Sequence, residues 1–577
     1  MASDGPLLVF GPRSTTYDFG PGHPLTPRRF GPGIDLLATL GATPGLAPEP
    51  APDEELRWCH AERYIAAVRR LSADPSAPPE AGIGPGDDPA FAGMHEAGAA
   101  VAGGSIRAME AILRGDVEHA FHPGGGLHHA MPHRASGFCI YDDPALAIAR
   151  ARAAGLRVLY LDFDVHHGDG VQAIHWADPG VLTFSIHESG RYLFPGTGML
   201  SEIGQGTAAG TAVNVPLDPG TGETGWLAAI RPLIPELAAA FGPDLVVSQH
   251  GADSHAWDPL AHLRVTTTAM GSAARLTDAI AHRWARGRWL STGGGGYDVY
   301  RVVPRSWSLV WLAGAHREVP ARIDEAWRER WAADGKGFGQ SPPPTTFEDL
   351  PGAGEPRSDA DETLDRRAVA IAEVARQLAV PGLLRAASDL GWWSAEGALI
   401  GSTIGDGPTS SPGVGSPAIL GHVRGDLWSR LQLAPRVIAP LDPVAGHELV
   451  AAALATNDGV GVTAAVDGTL VVGLALSAAP ASWSGERRLL ALGVAPSARR
   501  QGLATRLLAT HLAGLRPGDN PLSALVTAAE RDPVEPLPRA DRAVITRSLL
   551  TRAGFDVSKA PGPPGEADPG ALHARRD

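Results

Sequence analysis

From about residue 5 to 315, short β-branched runs alternate with alanine-rich stretches of helical period. The runs Val117–His122, Arg157–Phe163, Val181–Ile186, Asp244–Gln249 and Arg288–Thr292 read as strands, with helices such as Ala97–Leu113 and Pro144–Ala154 between them. Strands that take turns with helices predict an α/β domain built on a largely parallel sheet. In such sheets ligands sit beyond the carboxyl ends of the strands. Every segment rich in chemistry follows one of these runs, so the predicted fold gathers them at one edge.

The densest is Leu161-Asp162-Phe163-Asp164-Val165-His166-His167-Gly168-Asp169-Gly170. Asp164 and His166 are two apart, so on an extended chain they point the same way and can grip one ion. A lone Asp or His at a strand end is usually a cap. Here five such residues fall within eight positions, and burying them unpaired would be costly. Two cysteines, Cys59 and Cys139, are too few for a disulfide scaffold or a thiolate site, so a metal must be held by His, Asp and Glu. Gln249-His250-Gly251-Ala252-Asp253 ends another strand, and Asp253 is placed to be a third ligand, although spacing alone suits a cap equally well. Three protein ligands leave a position open for water and substrate. Imidazole with carboxylate suits zinc or ferrous iron.

Two further clusters follow strands. In Gly124-Gly125-Gly126-Leu127-His128-His129 the glycines permit a tight turn that aims two histidines into one cavity. Such a pair is often filler; near a metal it suits a general acid–base dyad. Thr292-Gly293-Gly294-Gly295-Gly296-Tyr297 is either a plain flexible turn or a device that brings the Tyr297 hydroxyl over the metal to stabilise an oxyanion.

The formal charge of −14 argues against broad affinity for nucleic acid. The beginning of the chain lacks a signal-peptide pattern, and no run approaches the roughly 18 apolar residues of a membrane span, so the cytosol is the expected location. Lys336 and Lys559 are the only lysines among 49 basic residues. An enzyme handling acyl-lysine could avoid lysine on its own surface, but a general bias towards Arg, Ala, Gly and Pro is the simpler reading. Oligomeric state is not legible.

Residues 1–390 are expected to form the first domain, with a linker-like stretch at 341–365 and a closing helix over Thr363–Ala387. A Gly/Ser/Pro-rich break at 401–418 lies in a linker over 391–429. A smaller α/β domain is expected over 430–560, and a disordered Pro/Gly tail over 561–577.

Taken together, the first-domain segments closely resemble the histone-deacetylase superfamily, and within it the bacterial acetoin-utilisation deacetylases. The likeness is carried by Tyr17–Pro24, Gly93–Glu96, Gly124–Cys139, Leu161–Val171, Ser185–Glu188, Phe194–Gly198, Gly251–Leu260 and Gly293–Pro304, in order. It implies an arginase-like α/β fold and zinc-dependent removal of acetyl groups from lysine. It implies that Asp164, His166 and Asp253 bind zinc, and that His128 and His129 form the dyad, backed by Asp162 and Asp169. Tyr297 would hold the oxyanion. Asp162, Asp164, His166, Ser185 and Ile186 would hold a potassium ion. Gly137, Phe138, Phe194 and Leu260 would line a lysine tunnel, and Asp87, next to Asp88, would grip substrate backbone at its rim. By association with acetoin utilisation, acetyl-CoA synthetase is the expected acetylated protein client; small acetylated amines such as polyamines are the alternative.

In the second domain, Leu492-Gly493-Val494-Ala495-Pro496 runs through Arg499-Arg500-Gln501-Gly502-Leu503-Ala504-Thr505 into a predicted helix. Backbone N–H groups at a helix N-terminus form an anion site. With the ribbon Val460–Leu476 turning at Asp467-Gly468 and with Arg552-Ala553-Gly554-Phe555, this resembles the GNAT-type N-acetyltransferases. The resemblance implies that Val494 and Arg499 to Thr505 cradle acetyl-CoA. It departs from the family at Leu550, where many relatives carry a tyrosine that protonates the thiolate; no tyrosine occurs after Tyr300. That leaves acetyl transfer and mere acyl-CoA sensing both open.

Overall fold

The computed structural model describes residues 5–349 and 358–390, and beyond them short segments between 418 and 576. The chain divides into two units, Met1–Ala386 and Ala387–Asp577. No helix among the described residues is long and apolar enough to cross a membrane.

The first unit is built on eight strands: β1 (Leu7–Val9), β2 (Pro44–Leu46), β3 (His119–His122), β4 (Val158–Asp162), β5 (Val181–Glu188), β6 (Ala212–Leu217), β7 (Leu245–Gln249) and β8 (Trp289–Thr292). They lie in the order β2-β1-β3-β8-β7-β4-β5-β6, and every neighbouring pair is parallel. The five predicted strands are β3, β4, β5, β7 and β8. All their residues are buried, as expected of a parallel sheet covered by helices on both faces. The predicted helices run Met94–Arg114 and Asp143–Ala153. In the first, buried Ala97, Ala100, Gly103 and Gly104 let the helix approach its neighbours closely: a Cβ at Gly103 would collide with the Glu49 carbonyl.

The strands not predicted are β1 and the two edges. β2 opens Pro-Gly, and β6 contains Asn214 and Pro216; both patterns argue against an interior strand but are tolerated at an edge. The linker-like reading of 341–365 also needs correction. Phe347 is buried at 1% exposure, and the Asp349 carboxylate accepts hydrogen bonds from the Thr267 backbone (2.8 Å) and Arg305 (2.8 Å). The run of prolines hid an anchored segment. The closing helix extends over Asp359–Asp389, through Pro381.

The second unit contains β9 (Ala418–Leu420), β10 (Gln432–Leu433), β11 (Gly461–Asp467), β12 (Leu470–Ala478), β13 (Arg487–Val494), β14 (Leu522–Val526), β15 (Asp556–Lys559) and β16 (Leu572–Arg576). The ribbon β11–β12 is antiparallel, with Asp467 opposite Leu470. β13 and β14 pair in parallel, at Arg487–Leu522 and Arg488–Ser523 alone. Two sequence expectations are revised. β9 lies inside the expected linker 391–429, and β16 inside the expected disordered tail 561–577. Each pairs by its backbone with another strand, a contact that composition cannot reveal.

Candidate active site

β3, β8, β7 and β4 are neighbours, and each ends by delivering one part of the site. Past β4 come Asp164 and His166. Past β7 comes Asp253. One ligand atom from each of these three lies within 4.8 Å of the others. His166 Nδ1 is 3.1 Å from Asp164 Oδ1 and 3.2 Å from Asp253 Oδ2. Asp164 is further held by Gln249 Nε2 (2.7 Å) and the Gly295 N–H (2.9 Å), and Asp253 by the Val165 N–H (2.9 Å).

Two carboxylates buried side by side demand a positive charge. Burial works against protonating His166, yet hydrogen bonds to Asp164 and Asp253 outweigh it and lift its pKa to about 10. Burial and the charge of Asp164 push Asp253 up to about 6. A divalent cation at this point would supply the charge, and two carboxylates with one imidazole are a donor set suited to it. The residues fit a metal.

Past β3, His128 and His129 stack with ring centroids 4.1 Å apart. Their Nδ1 atoms bond Asp162 (2.8 Å) and Asp169 (2.6 Å) respectively, which leaves both Nε2 atoms for the cavity. The two are driven apart electrostatically. Burial opposes a charge on His128, but Asp162 and Asp164 raise it to about 10; burial and the neighbouring His128 lower His129 to about 4. A cation at Asp164 would weaken the pull on His128. Past β8 the glycine turn brings Tyr297 to the same cavity. Burial and the carboxylates of Asp253 and Asp164 push its hydroxyl well above the ordinary phenol value. Gly295 is required by contact, since a Cβ there would run into Asp253.

A cavity of about 290 Å³ joins these groups: Gly126, His128, His129, Gly137, Phe138, Asp164, His166 and Tyr297 all line it. Gly137 has φ +55°, and a Cβ on it would lie 2.5 Å from His129 and 2.8 Å from Phe194, so the wall closes only around glycine. Phe194 stands 40% exposed with its ring 5.0 Å from that of His129, and Phe138 faces Tyr297 edge-on at 6.0 Å. Asp87 and Asp88 part company. Asp87 is exposed, its carbonyl accepting from His23 Nε2, while Asp88 is buried and raised to about 7 by burial and by Asp87. Of the two, Asp87 is the one accessible to solvent. Asp162 and Ser185 are register partners across β4 and β5, with Ile186 next along β5. Val494 ends β13; Arg499, Arg500, Gln501, Gly502, Leu503, Ala504 and Thr505 lie outside the described residues.

Four contributors escaped the sequence. Asp258, buried, accepts from the Tyr297 N–H (2.8 Å) through one oxygen and from the Leu260 N–H (3.0 Å) through the other. Asp143 accepts from the Gly126 and Leu127 N–H groups (2.9 and 2.8 Å) and so shapes the glycine turn. Gln249 grips Asp164. Arg29, buried at 4% exposure, donates to the Gly294 carbonyl (2.7 Å) beside a second cavity of about 410 Å³ that also borders Tyr17, His122 and Leu127. The one signal was the position of Asp258, five residues after the candidate ligand Asp253; Arg29 gave none.

Comparison with known proteins places the first unit in a family. Residues 23–313 match the histone deacetylase domain. The chain is 43% identical over 332 residues to the acetoin utilization protein AcuC of Bacillus subtilis, covering 56% of this chain and 86% of that protein. Against AcuC of Staphylococcus xylosus it is 36% identical over 331 residues, with the same two coverages. A crystal structure of an HDAC homolog complexed with SAHA superposes with a TM-score of 0.56 at 28% identity, covering 63% of this chain and 100% of that one. A crystal structure of an HDAC homolog from Aquifex aeolicus superposes with a TM-score of 0.55 at 28% identity, covering 63% and 99%. With its His, Asp and Tyr residues gathered at the carboxyl ends of four parallel strands, this chain belongs to the histone deacetylase family.

Proposed function

We propose that the first unit hydrolyses acetyl-lysine in proteins to lysine and acetate. The observation that carries this reading is the convergence of the Asp164–His166–Asp253 donor set, two histidines of opposed basicity and Tyr297 on one narrow cavity. Zinc, or ferrous iron, is the metal proposed for that donor set; when bound it polarises the amide carbonyl and lowers the pKa of a water. His129, low in basicity and oriented by Asp169, takes a proton from the attacking water through Nε2. The hydroxyl of Tyr297 donates to the carbonyl oxygen as it gains charge. The C–N bond breaks, and the dyad returns a proton to the departing amine. Asp162, Asp164, His166, Ser185 and Ile186 are proposed to hold potassium beneath the site, where it would temper the charge on His128.

Protein substrates are favoured over small amines by Asp87, which is exposed and, as the proposed rim residue, can accept from a peptide backbone. Acetyl-CoA synthetase is the proposed client, and the cytosol the proposed location. For the second unit, acetyl-CoA binding at Val494 and Arg499–Thr505 is proposed, with slow or no acetyl transfer. The short parallel pairing of β13 with β14 supports it, because strands that part open a cleft at their ends. The first-unit reading is tested by acetate release from metal-reconstituted protein, comparing acetyl-lysine peptides with acetylated polyamines. Faster turnover of the polyamines would replace the protein substrate with a small one.

A further inference from the structure

The amino end of β3, opposite to the end that carries the active site, holds a second cluster of ligating side chains, which the deacetylase chemistry does not use. His119 opens β3; Asp278 and His282 lie one turn apart on the helix Thr267–Trp284; His316 follows the helix Val303–Gly314. Their donor atoms converge. Asp278 Oδ1 lies 3.6 Å from His119 Nε2, 3.4 Å from His282 Nε2 and 3.2 Å from His316 Nε2. The Nε2 atoms of His282 and His316 are 3.0 Å apart. Zinc–ligand bonds of about 2.0–2.1 Å imply tetrahedral edges of about 3.3 Å between donors. These four separations match edges of such a tetrahedron, and all four donor atoms lie within 4.8 Å of one another.

Two details oppose an ordinary polar cluster. His119 is 6% exposed, and its Nε2 has no hydrogen-bond partner. Its Nδ1 donates to the Gly314 carbonyl (2.7 Å), which fixes the tautomer and leaves the Nε2 lone pair directed at the cluster. A buried acceptor without a partner needs a reason. Moreover, His316 adopts φ +52°, a left-handed conformation that a glycine would take more readily at this helix end. Its ring is thereby set 5.2 Å from that of His119 and 4.9 Å from that of His282.

We propose that His119, Asp278, His282 and His316 bind a zinc ion as a structural site, separate from the catalytic metal. Four protein donors fill a tetrahedral ion and leave no position for substrate, which marks the site as structural. It would pin the beginning of β3 to two helices that lie far from it in sequence. Entry is open, since His282 and His316 are 40% and 54% exposed.

The test is metal content of the full chain after loading with zinc and desalting, compared with His316→Ala and His282→Ala. Each variant is expected to retain one equivalent fewer than wild type, with acetate release unchanged. Cobalt loading should give a wild-type-minus-variant difference spectrum of tetrahedral intensity, and added zinc should raise the unfolding temperature of wild type more than that of either variant. Both substituted side chains are exposed, and circular dichroism verifies folding; Asp278→Asn gives a further independent variant. Equal metal content in wild type and variants, with no cobalt difference spectrum, would overturn the proposal and leave a cluster joined only by shared protons.

Discussion

In the proposed mechanism Tyr297 serves the chemistry, and Asp164, His166 and Asp253 hold the metal. Tyr297→Phe removes one oxyanion donor, and turnover should fall about 100- to 1,000-fold while peptide affinity survives. Near-normal turnover would mean that the hydroxyl is not over the reacting carbonyl. Asp164→Ala or His166→Ala should instead abolish both activity and the metal at that site, since three ligands alone hold it; undiminished metal with full activity would refute the assignment. Asp164 and His166 were singled out by their spacing of two, although they lie in bends past β4 rather than on an extended strand; Asp253 and Tyr297 were left open by spacing and read from the resemblance. Asp258, Asp143 and Arg29 were not legible, because an isolated acid or arginine in a sequence does not say which backbone group it will meet in the fold. Choosing between Asp87 and Asp88 likewise needed burial, which adjacent identical residues cannot express.

At the level of elements, helical and β-branched periodicity located the five central strands, since burial on both faces enforces continuous apolar runs. It failed for the edges and for 341–349, where Pro342, Pro343 and Pro344 resemble connecting chain. That last segment supports a test of its own. Burial disfavours the Asp349 carboxylate, but the hydrogen bond from His255 and the charge of Arg305 outweigh it and hold its pKa far below the usual range. A depressed carboxyl pKa stabilises the fold above the unfolded value of about 4 and loses that stabilisation as pH falls through the window below it. Asp349→Asn leaves Arg305 buried at 1% exposure without its counter-charge. A loss of about 3 kcal/mol is expected at pH 7, as for other buried pairs robbed of one partner. Urea unfolding should show the gap between variant and wild type closing below about pH 4; a gap that does not change with pH would show that the ion pair is not its source.

For the molecule as a whole, the two units pose different questions. The first carries a complete set of groups for amide hydrolysis. The second is proposed to bind acetyl-CoA at Arg499–Thr505, and its sequence has Leu550 where the resemblance leads one to expect a tyrosine. Calorimetry on the full chain should detect acetyl-CoA, and Gly502→Asp should abolish the signal by repelling the pyrophosphate. Binding that is identical in the variant would place the ligand elsewhere, and rapid acetylation of a protein lysine would show that the chain both writes and erases one mark.

Asp258 has a kinetic consequence. One carboxylate holds the backbone of Leu260, in the proposed tunnel wall, and that of Tyr297, the proposed oxyanion donor. A side chain that crowds the tunnel therefore strains the same acid that sets the phenol. Discrimination between acyl chains should then register in kcat more than in KM, because the penalty falls on the transition state rather than on docking. With longer acyl-lysines, Leu260→Ala should recover kcat and leave KM nearly constant; recovery confined to KM would mean that wall and donor act independently.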